Sequence, residues 1–254
     1  MIITATTATA RPSVSIRMPL SQPTLTALKT NPWFSSFSAS ALASLAAVAS
    51  LRSFGAGEVV QAQGKPCGSV VVVVKGRVRA VRRADDGRDM TLETYRAGSL
   101  LAEAACDPSS LMPNDWVAGE TSLLLFIPRD AFVAQLRHAP EAALSLVRDL
   151  ERRLGRVKSL ACDLALADVE TRLHHALERL AREEGEPSPE GTLIRKCPTQ
   201  QEIGKQIGAC RETVSRMIAE LGRRELVTQK GRRLLLTHKF FGNGNGNDNV
   251  PQAA

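Results

Sequence analysis

No apolar run in this 254-residue sequence approaches the roughly 18–20 residues that a membrane-spanning helix requires. The longest hydrophobic stretches, such as Val70 to Val74, are long enough only for a buried strand. We therefore expect a cytoplasmic protein with no membrane partner.

Paired metal ligands are also missing. The five cysteines lie far apart and form no Cys-x-x-Cys pair, so their spacing predicts neither a zinc site nor a disulfide framework. No nucleophile–base grouping or phosphate-binding loop is present. We therefore expect reduced thiols, no catalytic residue, no bound metal, no cofactor and no enzymatic activity.

Acidic residues are scarce at both ends of the chain. The first is Glu58, and residues 191–254 contain 11 Lys+Arg against 5 Asp+Glu, a net charge of +6. The preceding residues carry 22 Lys+Arg and 21 Asp+Glu, which leaves +1 of the total of +7. This asymmetry favours a polyanionic partner for the C-terminal part. A solvated basic surface is the alternative.

The two termini differ in composition from the rest. Residues 1–23 are rich in Thr, Ala, Ser and Pro and lack the apolar core of a secretory signal. Residues 241–254 are rich in Gly and Asn. We expect a disordered extension at 1–23 and a disordered tail at 241–254.

Residues 24–138 have the pattern of a β-roll that follows a short helical segment. From Leu51 to Asp130, short β-rich runs are interrupted by glycine every 8–12 residues or so. "VVVVVKGRVRAVRR" predicts two strands that turn at Lys75-Gly76, and "AVRRADDGRDMTLETY" predicts two that turn at Asp86-Gly87. Regular short strands of this kind indicate a small antiparallel barrel or jelly roll.

Residues 139–166 predict one long helix with a heptad seam. Its apolar positions are spaced alternately by three and four residues, a pattern typical of a two-helix dimer interface. A helix packed on its own domain is the alternative. The predicted interface residues are Val147, Leu150, Leu154, Val157, Ala161 and Leu164.

Residues 167–240 contain the signature of a DNA-binding motif. A helix is expected from about Asp168 to Glu184, and "EGEPSPEGT" has the composition of a linker. Thr199-x-x-Glu202 is a capping box, so a further helix should begin near Gln200. Gly208 suits the tight turn of a helix-turn-helix, and the next helix should begin at Arg211.

That last helix has a polar face suited to reading base pairs. At 100° per residue, Val214, Met217, Ile218 and Leu221 form its buried side. Arginine can donate two hydrogen bonds to guanine, and glutamate can accept one from cytosine. An exposed Glu212–Arg216 ion pair is the alternative role for two members of the face. The face consists of Arg211, Glu212, Ser215 and Arg216.

A basic hairpin follows the reading helix. "ELVTQKGRRLLLT" predicts two strands joined by a tip in which Lys230 and Arg232 would lie near DNA phosphates. Helix, turn, reading helix and basic wing in this order predict a winged helix-turn-helix. The expected fold class is therefore α+β, with an N-terminal antiparallel β-roll, a long dimerisation helix and this C-terminal domain.

"TQQEIGKQIGACRETVSRMI" resembles the DNA-binding motif of the Crp/Fnr family of bacterial transcription regulators, and the resemblance extends from about Leu28 to Leu236. It implies a homodimer that binds double-stranded DNA at a two-fold symmetric, TGTGA-like operator under the control of a sensory β-roll. It implies base contacts from the Arg-Glu-x-x-x-Arg triplet beginning at Arg211. The phosphate contacts that it implies are Thr199, Gln201 and Thr213.

The sensory half departs from the family pattern. The family's ribose-binding glutamate is present as Glu103, but the neighbouring glycine is Ala102. The family's phosphate-binding arginine falls at Pro113, and its serine falls at Asn114. No arginine occurs between Gly98 and Pro128. Because charge-assisted hydrogen bonds are about twice as strong as neutral ones, we expect an effector other than cyclic AMP. Glu103 is then either a ligand contact or a structural acceptor.

Two further hypotheses concern individual side chains. Arg77 and Arg79 share one face of a strand and could receive a different anion, such as a cyclic dinucleotide, or could form a solvated face. Cys210 stands where the family has a capping serine, and a helix N-terminus beside Arg211 would lower the pKa of a thiol. Oxidation of Cys210 could therefore weaken DNA binding, and a neutral substitution is the alternative.

Other functions remain open from the sequence. A constitutive DNA-binding protein would have a purely structural β-roll, and a nucleotide-binding regulatory module would act on a protein partner. RNA polymerase is a further candidate partner, because activation requires a surface that contacts it.

Overall fold

The computed structural model describes residues 22–103, 107 and 109–242. The chain divides into two compact units, residues 1–155 and 156–254. The long helix α4, Pro140–Leu166, crosses the boundary between them.

The first unit begins with two short helices. Helix α1 spans Gln22–Lys29, a 3-10 turn spans Pro32–Phe34, and helix α2 spans Ala39–Val48. Ser38 caps α2 by accepting a hydrogen bond from the Ala41 amide. Helix α1 starts two residues before the boundary expected at residue 24, and residues 1–21 of the expected extension lie outside the described residues.

Eight strands then form two antiparallel four-stranded sheets, as the glycine spacing predicts. One sheet has the order β1-β8-β3-β6 and the other has the order β2-β7-β4-β5. The strands are β1 Ser50–Phe54, β2 Val59–Gln61, β3 Ser69–Lys75, β4 Arg77–Arg83, β5 Asp89–Arg96, β6 Leu100–Leu101, β7 Asp115–Ala118 and β8 Ser122–Pro128.

The two glycine turns differ in what they connect. Strands β4 and β5 pair across the turn at Gly87, which has φ +85°, and this confirms the second predicted hairpin. The first expectation was wrong in detail, since β3 pairs with β6 and β8 while β4 pairs with β5 and β7. Gly76 therefore carries the chain from one sheet to the other instead of closing a hairpin.

Alternation along the strands separates two cores in this unit. Val71, Val73, Val78 and Trp116 point into the space between the sheets. Val70 and Val72 point to the opposite face of their sheet and pack against the helices, where Phe132 of α3 is completely buried. Helix α3 spans Arg129–Leu136.

Helix α4 spans Pro140–Leu166, close to the predicted 139–166. Its buried residues are Ala142, Leu146 and Arg153, all within the first unit. The apolar residues of the predicted seam are exposed in the single chain, from 36% for Leu164 to 54% for Leu154. Within the described residues, no helix is long and apolar enough to cross a membrane.

The second unit combines helices with one small sheet. Its elements are α5 Val169–Glu184, β9 Gly185–Ser188, β10 Gly191–Ile194, α6 Gln200–Ile207, α7 Arg211–Arg223, β11 Val227–Lys230, β12 Arg233–Thr237 and α8 His238–Gly242. The sheet order is β11-β12-β10-β9. The first two residues of the expected tail thus belong to α8, and residues 243–254 lie outside the described residues.

The expected linker at "EGEPSPEGT" is a β-hairpin and not a connector. Strand β9 lies at the edge of the sheet, where Pro187 is tolerated because an edge position does not require its missing N–H. Its neighbour β10 pairs with β12, so the turn-forming composition of this stretch was overridden by tertiary pairing.

Gly76 provides a test of the crossing between the two sheets. Gly76 has φ +87°, and a Cβ there would lie 2.8 Å from both the Ser122 Cα and the Thr121 carbonyl oxygen. Gly76→Ala should lower the free energy of unfolding by about 2–4 kcal/mol, because strain and overpacking act together.

The matched control is Gly87→Ala, whose φ is +85° but whose added Cβ would have no neighbour within 4 Å. It should cost only about 1–2 kcal/mol, the penalty for a left-handed alanine. Urea denaturation of both variants measures the difference, and equal losses would contradict the close approach at Gly76.

Candidate nucleic-acid interface and sensory pocket

The helix-turn-helix is defined by the capping box and a left-handed glycine. The Thr199 amide donates to Glu202 Oε2 at 2.8 Å, and the Glu202 amide donates to Thr199 Oγ1 at 3.2 Å. Gly208 ends α6 with φ +66° and ψ +40°. Helix α7 then starts at Arg211, so the predicted motif is confirmed at each of these positions.

Helix α7 buries one side and leaves the predicted reading face exposed. Val214, Ile218 and Leu221 are at most 6% exposed and belong to the core of the second unit. The side chains of Arg211, Glu212, Ser215 and Arg216 are all exposed.

The alternative role of an internal ion pair is not seen. Within residues 109–242, Glu212 forms no ion pair with Arg216, although Arg223 on the same helix contacts Glu220. The two arginines and the glutamate of the reading face are therefore available to an external partner.

The three residues implied to contact phosphates have different surroundings. Gln201 is exposed, whereas Thr199 is engaged in the capping box and Thr213 is half-buried. The Thr213 hydroxyl lies 3.1 Å from the Cys210 sulfur. Gln201 and Thr199 are thus both exposed, but the Thr199 hydroxyl is already engaged with Glu202.

The wing is the predicted basic hairpin. Strands β11 and β12 pair in register up to Lys230 and Arg233, and Gly231 at the tip has φ +61°. Lys230 and Arg232 are both exposed. The tip is anchored through Arg232, whose carbonyl accepts a hydrogen bond from the Cys197 amide at 2.8 Å.

Cys210 is the N-cap of α7 and is exposed. Its side chain makes no capping hydrogen bond to the helix backbone, in contrast to Thr199 at the start of α6. The first turn of α7 therefore lacks the contribution of about 1 kcal/mol that a serine or threonine cap provides.

In the first unit, Glu103 belongs to a polar cluster that the sequence did not predict. The Tyr95 hydroxyl donates to Glu103 Oε1, and Arg153 Nη1 lies 3.9 Å from the same oxygen. Arg153 also contacts Asp149 at 2.6 Å and stacks over the Tyr95 ring, with its Cζ 4.8 Å from the ring centroid. Glu103 therefore already has partners within its own chain.

Burial dominates the electrostatics of this cluster. Burial raises the pKa of Glu103, although the Tyr95 hydrogen bond and the Arg153 charge oppose this effect. Burial and the nearby Glu103 charge raise the pKa of Tyr95, so its hydroxyl remains a donor at neutral pH. Among the described residues, Nε and Nη1 of Arg153 have no hydrogen-bond partner.

A helical stripe in the sequence could have identified Arg153. The buried positions of α4 are 142, 146 and 153, which recur at 4 and 7 residues and lie on one side of a helix. The predicted heptad seam lies on an adjacent side of the helix, and an arginine that flanks such a seam is usually solvated. Tyr95, the only tyrosine of the chain, had no distinguishing pattern around it.

Arg77 and Arg79 lie away from this cluster. They alternate with Val78, which faces the interior of the roll, so both point to the outer face of their sheet. Arg77 is 8% exposed and lies 3.7 Å from Glu120, so it is not part of a solvated face. Arg79 is half-buried, and its Nε has no hydrogen-bond partner among the described residues.

Comparison with known families assigns both units. Residues 51–139 match the cyclic nucleotide-binding domain, and residues 171–239 match the Crp-like helix-turn-helix domain. The two matches cover the β-roll and the DNA-binding unit in the order that the structure shows.

Relatives cover most of the chain. A "CRP-like cAMP-activated global transcriptional regulator" of Mycobacterium tuberculosis is 29% identical over 199 residues, 78% of this chain and 88% of the relative. A "cAMP-activated global transcriptional regulator CRP" of Haemophilus influenzae is 29% identical over 175 residues, 68% of this chain and 77% of the relative.

Solved structures share the fold. The global regulator CLP of Xanthomonas campestris, described as responsive to c-di-GMP, has a TM-score of 0.66 and 23% identity, covering 79% of this chain and 99% of CLP. FixK2 of Bradyrhizobium japonicum has a TM-score of 0.69 and 18% identity, covering 79% of this chain and all of FixK2. The chain thus joins a cyclic nucleotide-binding domain to a Crp-like helix-turn-helix domain, and it is a Crp-like DNA-binding transcription regulator.

Proposed function

We propose that the protein is a cytoplasmic homodimer that binds a palindromic operator with TGTGA-like half-sites and responds to an effector other than cyclic AMP. The observation that carries the DNA-binding part is the exposed triplet Arg211, Glu212 and Arg216 on α7, which forms no ion pair within the described part of the chain. Arginine matches the two acceptors of guanine in the major groove, and glutamate matches the amino group of cytosine.

The exposed seam of α4 supports the dimer. Its large apolar residues, such as Val147, Leu150 and Leu154, are 37–54% exposed in the single chain. A heptad seam of this kind becomes buried when two helices pack together. A two-fold dimer would present two reading helices to half-sites about one helical turn, roughly 34 Å, apart.

Basic and polar residues around the reading helix support phosphate contacts. The exposed cations of the wing are Lys230 and Arg232. Gln201 is exposed on the preceding helix, and Thr213 lies in the first turn of α7. Such contacts release counterions, so affinity should fall steeply as salt concentration rises.

Two observations support an effector other than cyclic AMP, although the relatives named above are described as activated by it. The segment between Gly98 and Pro128 contains no arginine to pair with a cyclic phosphate. Glu103 is already engaged by Tyr95 and Arg153. CLP, with the same fold, is described as responding to c-di-GMP, so the fold accommodates other effectors.

A constitutive DNA-binding protein is the second candidate. It is favoured by the same cluster, because Tyr95, Glu103, Asp149 and Arg153 contact one another without a ligand. A module acting only on a protein partner would need neither the reading face nor the wing. RNA polymerase remains a candidate partner for an activating form.

Replacement of the triplet tests base reading. Arg211→Ala/Glu212→Ala/Arg216→Ala should reduce discrimination between a TGTGA-containing duplex and a scrambled one to within a few-fold. Each good bidentate contact contributes about 1–3 kcal/mol of discrimination. Fluorescence anisotropy at fixed salt measures both affinities.

The matched control is Glu220→Ala/Arg223→Ala, which removes an ion pair from the C-terminal part of the same helix. It should leave discrimination unchanged. Retained discrimination in the triplet variant would refute the assignment of α7 as the reading helix.

Charges placed in the seam test the dimer. Leu150→Lys/Leu154→Lys should weaken dimerisation at least about a thousandfold, because a dimer buries four leucines there at about 1.5–3 kcal/mol each. Sedimentation measures the oligomeric state. The control is Leu166→Lys, at an 86% exposed position outside the seam, and this variant should remain dimeric. If the Leu150→Lys/Leu154→Lys variant also remained dimeric, the proposed interface would be disproved.

We further propose that oxidation of Cys210 weakens DNA binding. Oxidised sulfur acids are anionic, and one beside Arg211 would repel DNA phosphates. Cys210→Ser should retain its DNA affinity after peroxide treatment and gain about 0.5–1 kcal/mol in stability from a capping hydroxyl. Cys162→Ser, at another exposed cysteine, should be as sensitive as the wild type. Equal sensitivity of all three proteins would rule out the role of Cys210.

A further inference from the structure

The wing has an apolar side and a cationic side. Val227, Leu234 and Leu236 are at most 3% exposed and belong to the core of the second unit. Because side chains alternate along a strand, Arg233 lies on the opposite, outer side of β12. Lys230 pairs with Arg233 across the tip, so these two exposed side chains are neighbours on that outer side.

The segment between β10 and α6 contacts β12 on either side of Arg233. Ile194 pairs with Leu234, and the Cys197 amide donates to the Arg232 carbonyl oxygen at 2.8 Å. Ile194 and Cys197 are at most 2% exposed, so both side chains face the core.

Two residues lie between these buried positions, where the alternation of a regular strand would place one. Arg195 and Lys196 therefore oppose the single residue Arg233, which is the two-to-one count of a β-bulge. Both are exposed. The extra residue thus adds a cation to the outer side of the sheet, next to Arg233 and Lys230.

One carboxylate neutralises one of these four cations. Arg195 Nε donates to both carboxylate oxygens of Glu186 on β9, each at 2.7 Å. Among the described residues, no ion pair involves the other three, which we call the basic row: Lys230, Arg233 and Lys196.

The basic row is unfavourable in the protein alone. Like charges on directly opposite residues of neighbouring strands destabilise a sheet. The row crosses two strand spacings of about 4.8 Å each, so it is about 10 Å long. A DNA strand carries one phosphate per about 3.4 Å of helix axis and therefore presents several negative charges over this length. A polyanion lying along the row would remove the repulsion.

We propose that the basic row binds the phosphate backbone of operator DNA. The proposal rests on the proposed function, because it extends the same DNA interface from the tip of the wing to the segment before α6. It adds Lys196 and Arg233 to the residues that contact phosphates. The row is continuous with Lys230 at the tip, and its charge is complementary to DNA.

The salt dependence of DNA affinity tests the row on the full chain. Fluorescence anisotropy with a TGTGA-containing duplex and a scrambled duplex, from about 50 to 200 mM salt, gives the slope of log K against log salt concentration. Each phosphate contact contributes about 0.9 to this slope, so Lys196→Gln or Arg233→Gln in both protomers of a dimer should reduce it by about 1.8. Both duplexes should lose affinity by the same factor, because phosphate contacts do not read sequence.

Two control variants separate a local contact from a general effect of charge. Lys196→Arg keeps the charge and should keep the slope. Arg182→Gln also removes one positive charge, at a 68% exposed side chain on α5 that lies 3.9 Å from Glu178, and should leave the slope unchanged. Wild-type slopes in Lys196→Gln and Arg233→Gln, or an equal change in Arg182→Gln, would overturn the basic row.

Thermal unfolding without DNA provides an independent measurement. Lys196→Gln and Arg233→Gln each remove a like-charged neighbour, so their melting temperatures at low salt should be no lower than that of the wild type. This result would also show that a reduced slope does not come from misfolding. A lower melting temperature would mean that these cations stabilise the chain itself, and it would overturn the proposal.

The basic row and the proposed operator can fail separately. If the wild type did not prefer the TGTGA-containing duplex, the operator would be refuted, while reduced slopes in the variants would still support the row. If the wild type discriminated between the duplexes but every variant kept its slope, the row alone would be refuted. A row that binds an acidic protein instead of DNA would give this second result.

Discussion

The architecture depends on helix α4 burying one stripe while leaving another exposed. Ala142, Leu146 and Arg153 face the first unit, and the apolar seam that includes Leu150 and Leu154 lies on another side of the same cylinder. The same helix therefore carries a buried guanidinium on one side and an exposed apolar surface on another. Arg153 and Leu154 are consecutive residues, so the guanidinium that contacts Tyr95 and Glu103 of the β-roll and the exposed seam belong to the same turn of the helix.

The DNA-binding unit follows the same logic on a smaller scale. Helix α7 is short, and three of its thirteen residues are buried in the core: Val214, Ile218 and Leu221. The polar residues are grouped because the apolar ones occupy the other side. Orientation is set before the helix begins, by the Thr199–Glu202 box and the left-handed Gly208. The position of the polar face of α7 thus follows from ordinary packing and capping.

Local signals made the DNA-binding unit predictable, whereas the β-roll depended on pairing between distant residues. The boundaries of α6 and α7 follow from Thr199, Gly208 and the apolar spacing of α7. Nothing near Lys75-Gly76 indicated that β3 and β4 join different sheets, because both a hairpin and a crossing use a left-handed glycine. The role of Arg153 depends on Tyr95, 58 positions earlier, and periodicity alone does not reveal such a partner.

The edge strand β9 has a consequence for self-association. An open sheet edge offers unpaired amides to which another chain can add a strand, a common route to aggregation. Here the edge is only four residues long, and Pro187 removes one of its amides. Extension of the sheet from the β9 edge by a second copy is therefore unfavourable.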